Sequence, residues 1–402
     1  MSIHEFRTRR PITGAQVVAT SFAMAVFSWG IGFYGLSVYG QFLGAQGRWS
    51  VGMMSAATTG YFIAGSLFIG VADRLARRFG RRMVAMLGVV ALAGGVSTMA
   101  LVTHPVLLLA VFLLMAFGWS ATSGTAITQI VGLWFEQRRG LATSLALTGA
   151  SVAGFSVVPV MVWQIGQHGV AQGIASTALV AGAVMLLLLW SMTDRPHDTA
   201  ALPVGQRGAA TTASFSRLPW SARQLQIVAV FAVVMMAQVG FLAQQLPLLT
   251  PRVGADQAAL AVAVTTASAL IGRLLLGLII DRLSHRLLTV LCIGSQIVGG
   301  AVLLATTAVW GVLLGCALIG LAVGNMITLP SVFVQREFAA EQFGPVVSRI
   351  WSMSQFFYAF GPLGAGLLMQ HTGSGDAVLV ACLVLQTLAA LLCLSGRRSG
   401  LG

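Results

Sequence analysis

One arginine stands where a charge is costly. Arg273 lies within an apolar run, eight residues before Asp281, and so about 12 Å along a helix from the nearest polar loop. A guanidinium in hydrocarbon costs at least about 2.5–3.5 kcal/mol on insertion scales, which disfavours a lipid-facing position. The side chain must reach a wet cavity, a partner, or the membrane surface by snorkelling. No carboxylate lies within a turn of it, the nearest positions on its face being Ala269, Gly272 and Leu276. Its forked donors fit a carboxylate, which favours binding of an anionic substrate over snorkelling.

A second constellation occurs twice. Gly70-Val71-Ala72-Asp73-Arg74 is followed by Arg77, Arg78, Gly80, Arg81 and Arg82. Gly277-Leu278-Ile279-Ile280-Asp281-Arg282 is followed by His285 and Arg286. The two Asp-Arg pairs are 208 residues apart, about half the chain, as expected of a duplicated transporter fold. An Asp at a helix end, beside Arg and the positive end of a neighbouring helix, makes a breakable latch. Gly70, Asp73, Arg74, Gly80, Arg81, Gly277, Asp281 and Arg282 are therefore expected to gate one membrane face.

Other polar side chains inside apolar runs are candidates to line a substrate cavity: Tyr34, Thr125, Gln129, Gln238, Asn325, Gln355 and Tyr358. Lipid cannot satisfy an amide, so Gln238, Asn325 and Gln355 are favoured, whereas Ser and Thr commonly bond their own backbone. A proton relay normally needs an ionisable group within the membrane. All ten acids and six histidines instead fall at loops or span edges, so proton symport and anion exchange both stay open. Gly149-Ala150-Ser151-Val152-Ala153 lacks the final glycine of a nucleophile elbow, and neither a phosphate-binding loop nor His-Glu-x-x-His occurs. No enzymatic activity, cofactor or metal is expected. Cys292, Cys316, Cys382 and Cys393 lie in apolar runs and read as packing residues.

The elements that must position these residues follow from composition. Of 402 residues, 57% are hydrophobic and 8% charged, against about 25% charged in an average soluble domain. So few charges cannot cover a soluble fold of this size, and the chain reads as an integral membrane protein. Runs long enough to cross about 30 Å of hydrocarbon number twelve: roughly 15–43, 50–72, 83–103, 105–135, 141–165, 169–193, 225–250, 257–280, 287–307, 309–334, 347–370 and 376–396. The polar stretch 194–224 separates six from six, predicting an N-terminal bundle (1–193), a cytoplasmic linker and a C-terminal bundle (225–402). All 23 basic residues are arginines, and with both termini inside, nineteen fall on the inner face and only Arg48 and Arg252 outside. That imbalance sets the orientation and explains the net charge of +13 without nucleic acid. No cleavable signal peptide is expected, since the first apolar run is of full spanning length.

The paired loops resemble those of the major facilitator superfamily, in which the loop after the second span reads Gly-x-x-x-Asp-Arg-x-Gly-Arg-Arg. The second copy keeps the Gly-to-Asp spacing; in the first, Gly70 is three residues before Asp73, and about one extra helical turn precedes Gly80. A narrower resemblance, to the bacterial monocarboxylate transporter and oxalate/formate exchanger branch, is carried by several segments in order. They are Gly32-Phe33-Tyr34-Gly35-Leu36-Ser37-Val38-Tyr39 with Trp49-Ser50, Trp134 to Ala142 with Gly149-Ala150-Ser151, Pro247, Gly254, Gly272-Arg273 with Gly277, Phe343-Gly344, Gly361-Pro362 and Thr372-Gly373. The resemblance implies that Arg273 binds the substrate carboxylate. Some members place an Asp one turn earlier, where this chain has Ala269, and the chain lacks any membrane lysine.

The expectation is an all-α membrane protein of two pseudo-symmetric six-helix bundles, working as a monomer in the inner (plasma) membrane. Its partners would be a small organic anion such as a monocarboxylate, protons or a counter-anion, and the lipid bilayer. Efflux of larger apolar or zwitterionic compounds is the alternative, and a non-transporting receptor a remoter one.

Overall fold

The computed structural model describes residues 14–47, 49–135, 139–192, 220–280, 282–338 and 343–395. Asp281 and all but the last residues of the expected 194–224 linker lie outside them. The first half comprises α1 (Gly14–Trp29), a π-helical turn (Gly30–Tyr34), α2 (Gly35–Ala45), α3 (Val51–Phe79), α4 (Arg81–Met99), α5 (Pro105–Thr122), α6 (Gly124–Trp134), α7 (Arg139–Leu147), α8 (Gly149–His168) and α9 (Val170–Ser191). The second comprises α10 (Ala222–Val253), α11 (Ala255–Ile279), α12 (His285–Ala305), α13 (Val309–Glu337), α14 (Phe343–Tyr358), α15 (Gly361–Thr372) and α16 (Gly375–Ser395). No strand occurs among the described residues.

Local sequence explains where these helices begin and end. The Ser50 and Ser284 hydroxyls cap α3 and α12 by accepting from Met53 N–H and Leu287 N–H, and Ser221 and Gln224 form a reciprocal capping box on α10. Gly80, at φ 88°, makes the sharp turn between α3 and α4, a conformation that a side chain would strain.

Among the described residues eleven stretches are long and apolar enough to cross a membrane, one fewer than the sequence count. The twelfth, expected at 347–370, is the α14–α15 pair, interrupted at Ala359–Phe360 just before Gly361-Pro362. Pro362 has no N–H to continue the ladder, and its ring crowds the preceding turn. Taking α1–α2, α5–α6, α7–α8 and α14–α15 as single interrupted spans restores twelve crossings. Leucines such as Leu67, Leu187 and Leu391 point outward, as a lipid-facing surface requires.

The helix ends define two faces, one where Gly47, Gly169, Gly254 and Gly373 turn the chain and one where Gly80 does. The two halves pack through α2 on α10, α3 on α15 and α8 on α11. Three of their mutual hydrogen bonds lie toward the Gly47 face. Leu246 N–H donates to Ser37 Oγ at 2.8 Å, Gln244 Nε2 to Ser55 Oγ at 2.7 Å, and Leu363 N–H to Thr59 Oγ1 at 3.1 Å. One apolar core there joins both halves, whereas toward the Gly80 face the C-terminal half has its own core around Phe231, Leu276, Phe333 and Ile350. The molecule is thus sealed at the Gly47 face. That seal needs small residues, since a methyl group on Gly366 would overlap the Ser55 hydroxyl.

Gly366→Val is therefore expected to keep the Gly47 face from closing. With the native cysteines replaced and a cysteine placed at Gly40, where an added Cβ meets only Pro247 at 3.9 Å, thiol labelling from that face should rise several-fold in the valine variant. Unchanged labelling would mean that the α3–α15 contact does not set the seal.

Candidate functional site

Four spans are interrupted, and the site is assembled from the interruptions. In the π-helical turn the carbonyls of Ile31 and Gly32 take side-chain donors. They accept from Tyr39 Oη at 2.9 Å and Tyr61 Oη at 2.6 Å. Between α5 and α6, extended Ser123 breaks the ladder, and the Thr122 carbonyl accepts from Ser28 Oγ at 2.9 Å. Between α7 and α8 both Ser151 N–H and Val152 N–H turn to the Thr148 carbonyl, at 3.0 and 3.2 Å. The Leu147 carbonyl is passed over, and Arg273 Nη1 reaches across from α11 to bond it at 3.2 Å.

Arg273 thus bridges the two halves of the molecule. Its stem lies flat on Gly324 of α13, where an added Cβ would stand 2.5 Å from Nε and 2.7 Å from Cγ, so no larger residue fits without displacing it. Tyr34, closing the π-helical turn and buried, is near enough for its hydroxyl to interact electrostatically with the guanidinium. The Arg273 Nε–H is buried with no partner. A cation with one carbonyl bond and an open donor, in apolar surroundings, is chemically set up to take a carboxylate.

Of the residues expected to gate, Asp73 and Arg81 are brought together at the Gly80 face. Arg81 Nη1 bonds Gln129 Oε1, and Gln129 Nε2 donates to Asp73 Oδ1 at 3.3 Å, tying α3, α4 and α6 together. Thr125 lines the same pocket with Ala72, Val84 and Ser120. Gln129 and Thr125, candidates to line the substrate cavity, lie with Asp73 and Arg81. Gly70, Arg74 and Arg282 are exposed, Gly80 makes the buried turn between α3 and α4, Gly277 lies in α11, and Asp281 is outside the described residues.

The second half carries a matching cluster that sequence reasoning missed. Glu337 Oε1 accepts from Arg286 Nη2 at 2.8 Å and Nε at 3.2 Å, and pairs with His285 Nε2 at 2.7 Å; Oε2 lies 3.5 Å from Arg223 Nε. A signal for it was present: Glu337 follows Gln129 by 208 residues, the spacing that separates Asp281 from Asp73. Removing the extra turn of the first loop likewise brings Arg81 and Arg82 into register with His285 and Arg286.

The remaining candidates are dispersed. Gln238 points into the C-terminal bundle and donates to the Val323 carbonyl at 3.4 Å; Asn325 donates to the Leu321 carbonyl at 3.0 Å and contacts Cys292 Sγ at 3.6 Å. Half-buried Gln355 and Tyr358 lie on α14 just before its break, the Tyr358 ring 6.3 Å from that of Phe62. Arg349, which the sequence puts at a span edge, is buried with its guanidinium 4.1 Å from the ring centre of Trp220.

Twelve crossings in two halves, interrupted helices and a half-satisfied arginine between them define a multi-pass membrane transporter rather than an enzyme. The chain belongs to the Major Facilitator Superfamily, whose family model matches residues 17–362. Two curated relatives are similar over part of their length. Monocarboxylate transporter 13 of Bos taurus is 31% identical over 154 residues, which is 37% of this chain and 35% of the relative. The Rattus norvegicus protein of the same name is 33% identical over 101 residues, 24% of this chain and 23% of the relative. The matched stretch thus spans about a third or less of those relatives. Among solved structures, a point mutant of the nucleoside transporter NupG superposes with a TM-score of 0.77 at 14% identity, covering 96% of this chain and 100% of that one. A D-xylose-proton symporter gives 0.73 at 14% identity, covering 94% and 96%. At that identity the likeness speaks to fold alone.

Burial pushes the Glu337 carboxyl up, but its bonds to His285 and Arg286 and their charges outweigh this and hold it below the usual carboxylate range. A carboxyl depressed in the folded state adds stability above its unfolded pKa of about 4.3, and that stability is lost as pH falls through the folded value. Glu337→Gln is expected to lower stability by about 1–3 kcal/mol at pH 7, read as a fall in melting temperature in detergent. The gap from wild type should narrow below about pH 4. An equal gap at both pH values would show that its charge is not what stabilises the cluster.

Proposed function

We propose that this protein carries a small organic anion, a monocarboxylate, across the membrane by alternating access, with Arg273 as the cation that anchors the carboxylate. The observation that carries this reading is the buried Arg273 guanidinium, bonded to a single backbone carbonyl and left with a free Nε–H. Leaving such a donor unused in a low-dielectric site is unfavourable, and a carboxylate supplies the missing acceptors. The partial similarity to monocarboxylate transporter 13 supports the same substrate class.

The moving bodies are residues 1–193 and 225–402, joined by the 194–224 linker, and the arginine-rich Gly80 face is cytoplasmic by the positive-inside bias, in the inner (plasma) membrane. The closed Gly47 face then faces outward. The Asp73–Gln129–Arg81 and Glu337–His285–Arg286 clusters hold each half's cytoplasmic end together while the halves rock. Among the described spans no Asp, Glu or His lies near mid-membrane, so the coupling ion travels with the substrate or is replaced by a counter-anion.

Uptake of labelled monocarboxylates into proteoliposomes tests this. Arg273→Ala should reduce uptake on the order of tenfold to a hundredfold, the range of one to two charge-assisted hydrogen bonds, with Arg273→Lys retaining part of it. Stimulation by an inward-acid gradient would define symport, and stimulation only by trans anion would define exchange. Wild-type transport of no acid, or full activity in both variants, would overturn the assignment.

A further inference from the structure

Three glutamines meet inside the C-terminal bundle, away from the arginine site. Gln238 of α10, Gln296 of α12 and Gln386 of α16 are each at least nine-tenths buried, at 3%, 0% and 4% exposure. They surround a small cavity whose other walls are apolar, among them Phe241, Ile319 and Leu379. Gln386 Nε2 donates to Gln296 Oε1 at 3.2 Å, and Gln238 Nε2 donates to the Val323 carbonyl at 3.4 Å. That leaves Gln238 Oε1, Gln386 Oε1 and Gln296 Nε2 without a partner, on three residues that line the one cavity. The thiol of Cys382, also in the wall, is committed to the Ala237 carbonyl at 3.4 Å.

Two unmet acceptor oxygens and one unmet amide nitrogen are groups that a single water molecule can bridge: it donates one hydrogen to each carbonyl oxygen and accepts from one N–H of the Gln296 amide. Three hydrogen bonds is also the usual complement of a buried water, and the cavity has room for one. A cation would find the two carbonyl oxygens but would meet the N–H₂ of Gln296. An apolar ligand would leave all three atoms unpaired. We propose that this cavity is a binding site for one ordered water that links α10, α12 and α16. The linkage backs the anion site, since Val323, held by Gln238, immediately precedes Gly324, on which Arg273 lies. It does not depend on which solute is carried.

The direct test is an experimental structure of the full-length protein at a resolution that shows water. Density within hydrogen-bond distance of all three atoms is expected; an empty cavity with the amides turned to bond one another would overturn the proposal. Stability separates the cases independently. Gln296→Leu, which removes the water's donor and leaves Gln386 Nε2 without its acceptor, should lower the melting temperature in detergent, and Q238L/Q296L/Q386L, which leaves nothing to hydrate, should recover much of the loss. A harmless Gln296→Leu would count against the site, and if the triple variant does not fold, the density and the single variant decide. Melting in sodium chloride and in choline chloride should be the same; stabilisation by sodium would replace the water with a cation.

Discussion

Inside hydrocarbon no water can take up a freed backbone carbonyl, so every interruption of a spanning helix must be matched by a donor from elsewhere in the fold. Among the described residues four crossings are interrupted, and at three of the interruptions a backbone carbonyl accepts from a side chain. Tyr39 and Tyr61 serve the π-helical turn, and Ser28 serves the α5–α6 break. Arg273 serves the α7–α8 break and is the one donor of the set that is charged. Its place in the molecule follows from that requirement. A cation deep in the membrane needs an acceptor, the passed-over Leu147 carbonyl needs a donor, and the two lie in opposite halves.

The contact has a further consequence for how the halves meet. Toward the Gly47 face they are joined by a shared apolar core and by neutral hydrogen bonds that rely on Ser, Thr and Gly for close approach. Such contacts are individually weak and desolvate no charge, so they can form and part during a cycle. Toward the Gly80 face each half closes on itself through a polar cluster, one centred on Gln129 and one on Glu337. Charge thus ties helices together within each half, and uncharged small residues lie where the halves meet. Arg273 is the exception, a charge placed on the dividing line.

Much of the architecture was legible in the sequence because it follows from one-dimensional rules. Apolar run length fixes crossings, and the Asp73 and Asp281 loops announce the duplication. The break in the eleventh crossing was written in Gly361-Pro362, yet run length alone counts that segment as one helix. The placement of polar side chains was less legible. Gln129 is a cavity candidate as a polar side chain within an apolar run, and Gln238 also because lipid cannot satisfy an amide. That reasoning does not say which polar thing, and Gln129 faces Asp73 and Arg81 while Gln238 faces the inside of its own bundle. Helical periodicity gives a face, but the neighbour on that face depends on how helices remote in sequence are rotated against each other.

By itself, then, the sequence determined that the chain spans a membrane many times, that it is built as two related halves, and that Arg273 is a charge in need of a partner. These follow from hydropathy, internal spacing and the cost of burying an ion, none of which needs coordinates. Only the tertiary structure decided what the partner is. The Leu147 carbonyl is invisible in a sequence because every residue has one, and it is left available because Ser151 N–H, its regular partner, turns to Thr148. The Gln129–Glu337 correspondence and the three-glutamine cavity were likewise decided in three dimensions, where helices distant in sequence bring unmatched donors and acceptors together.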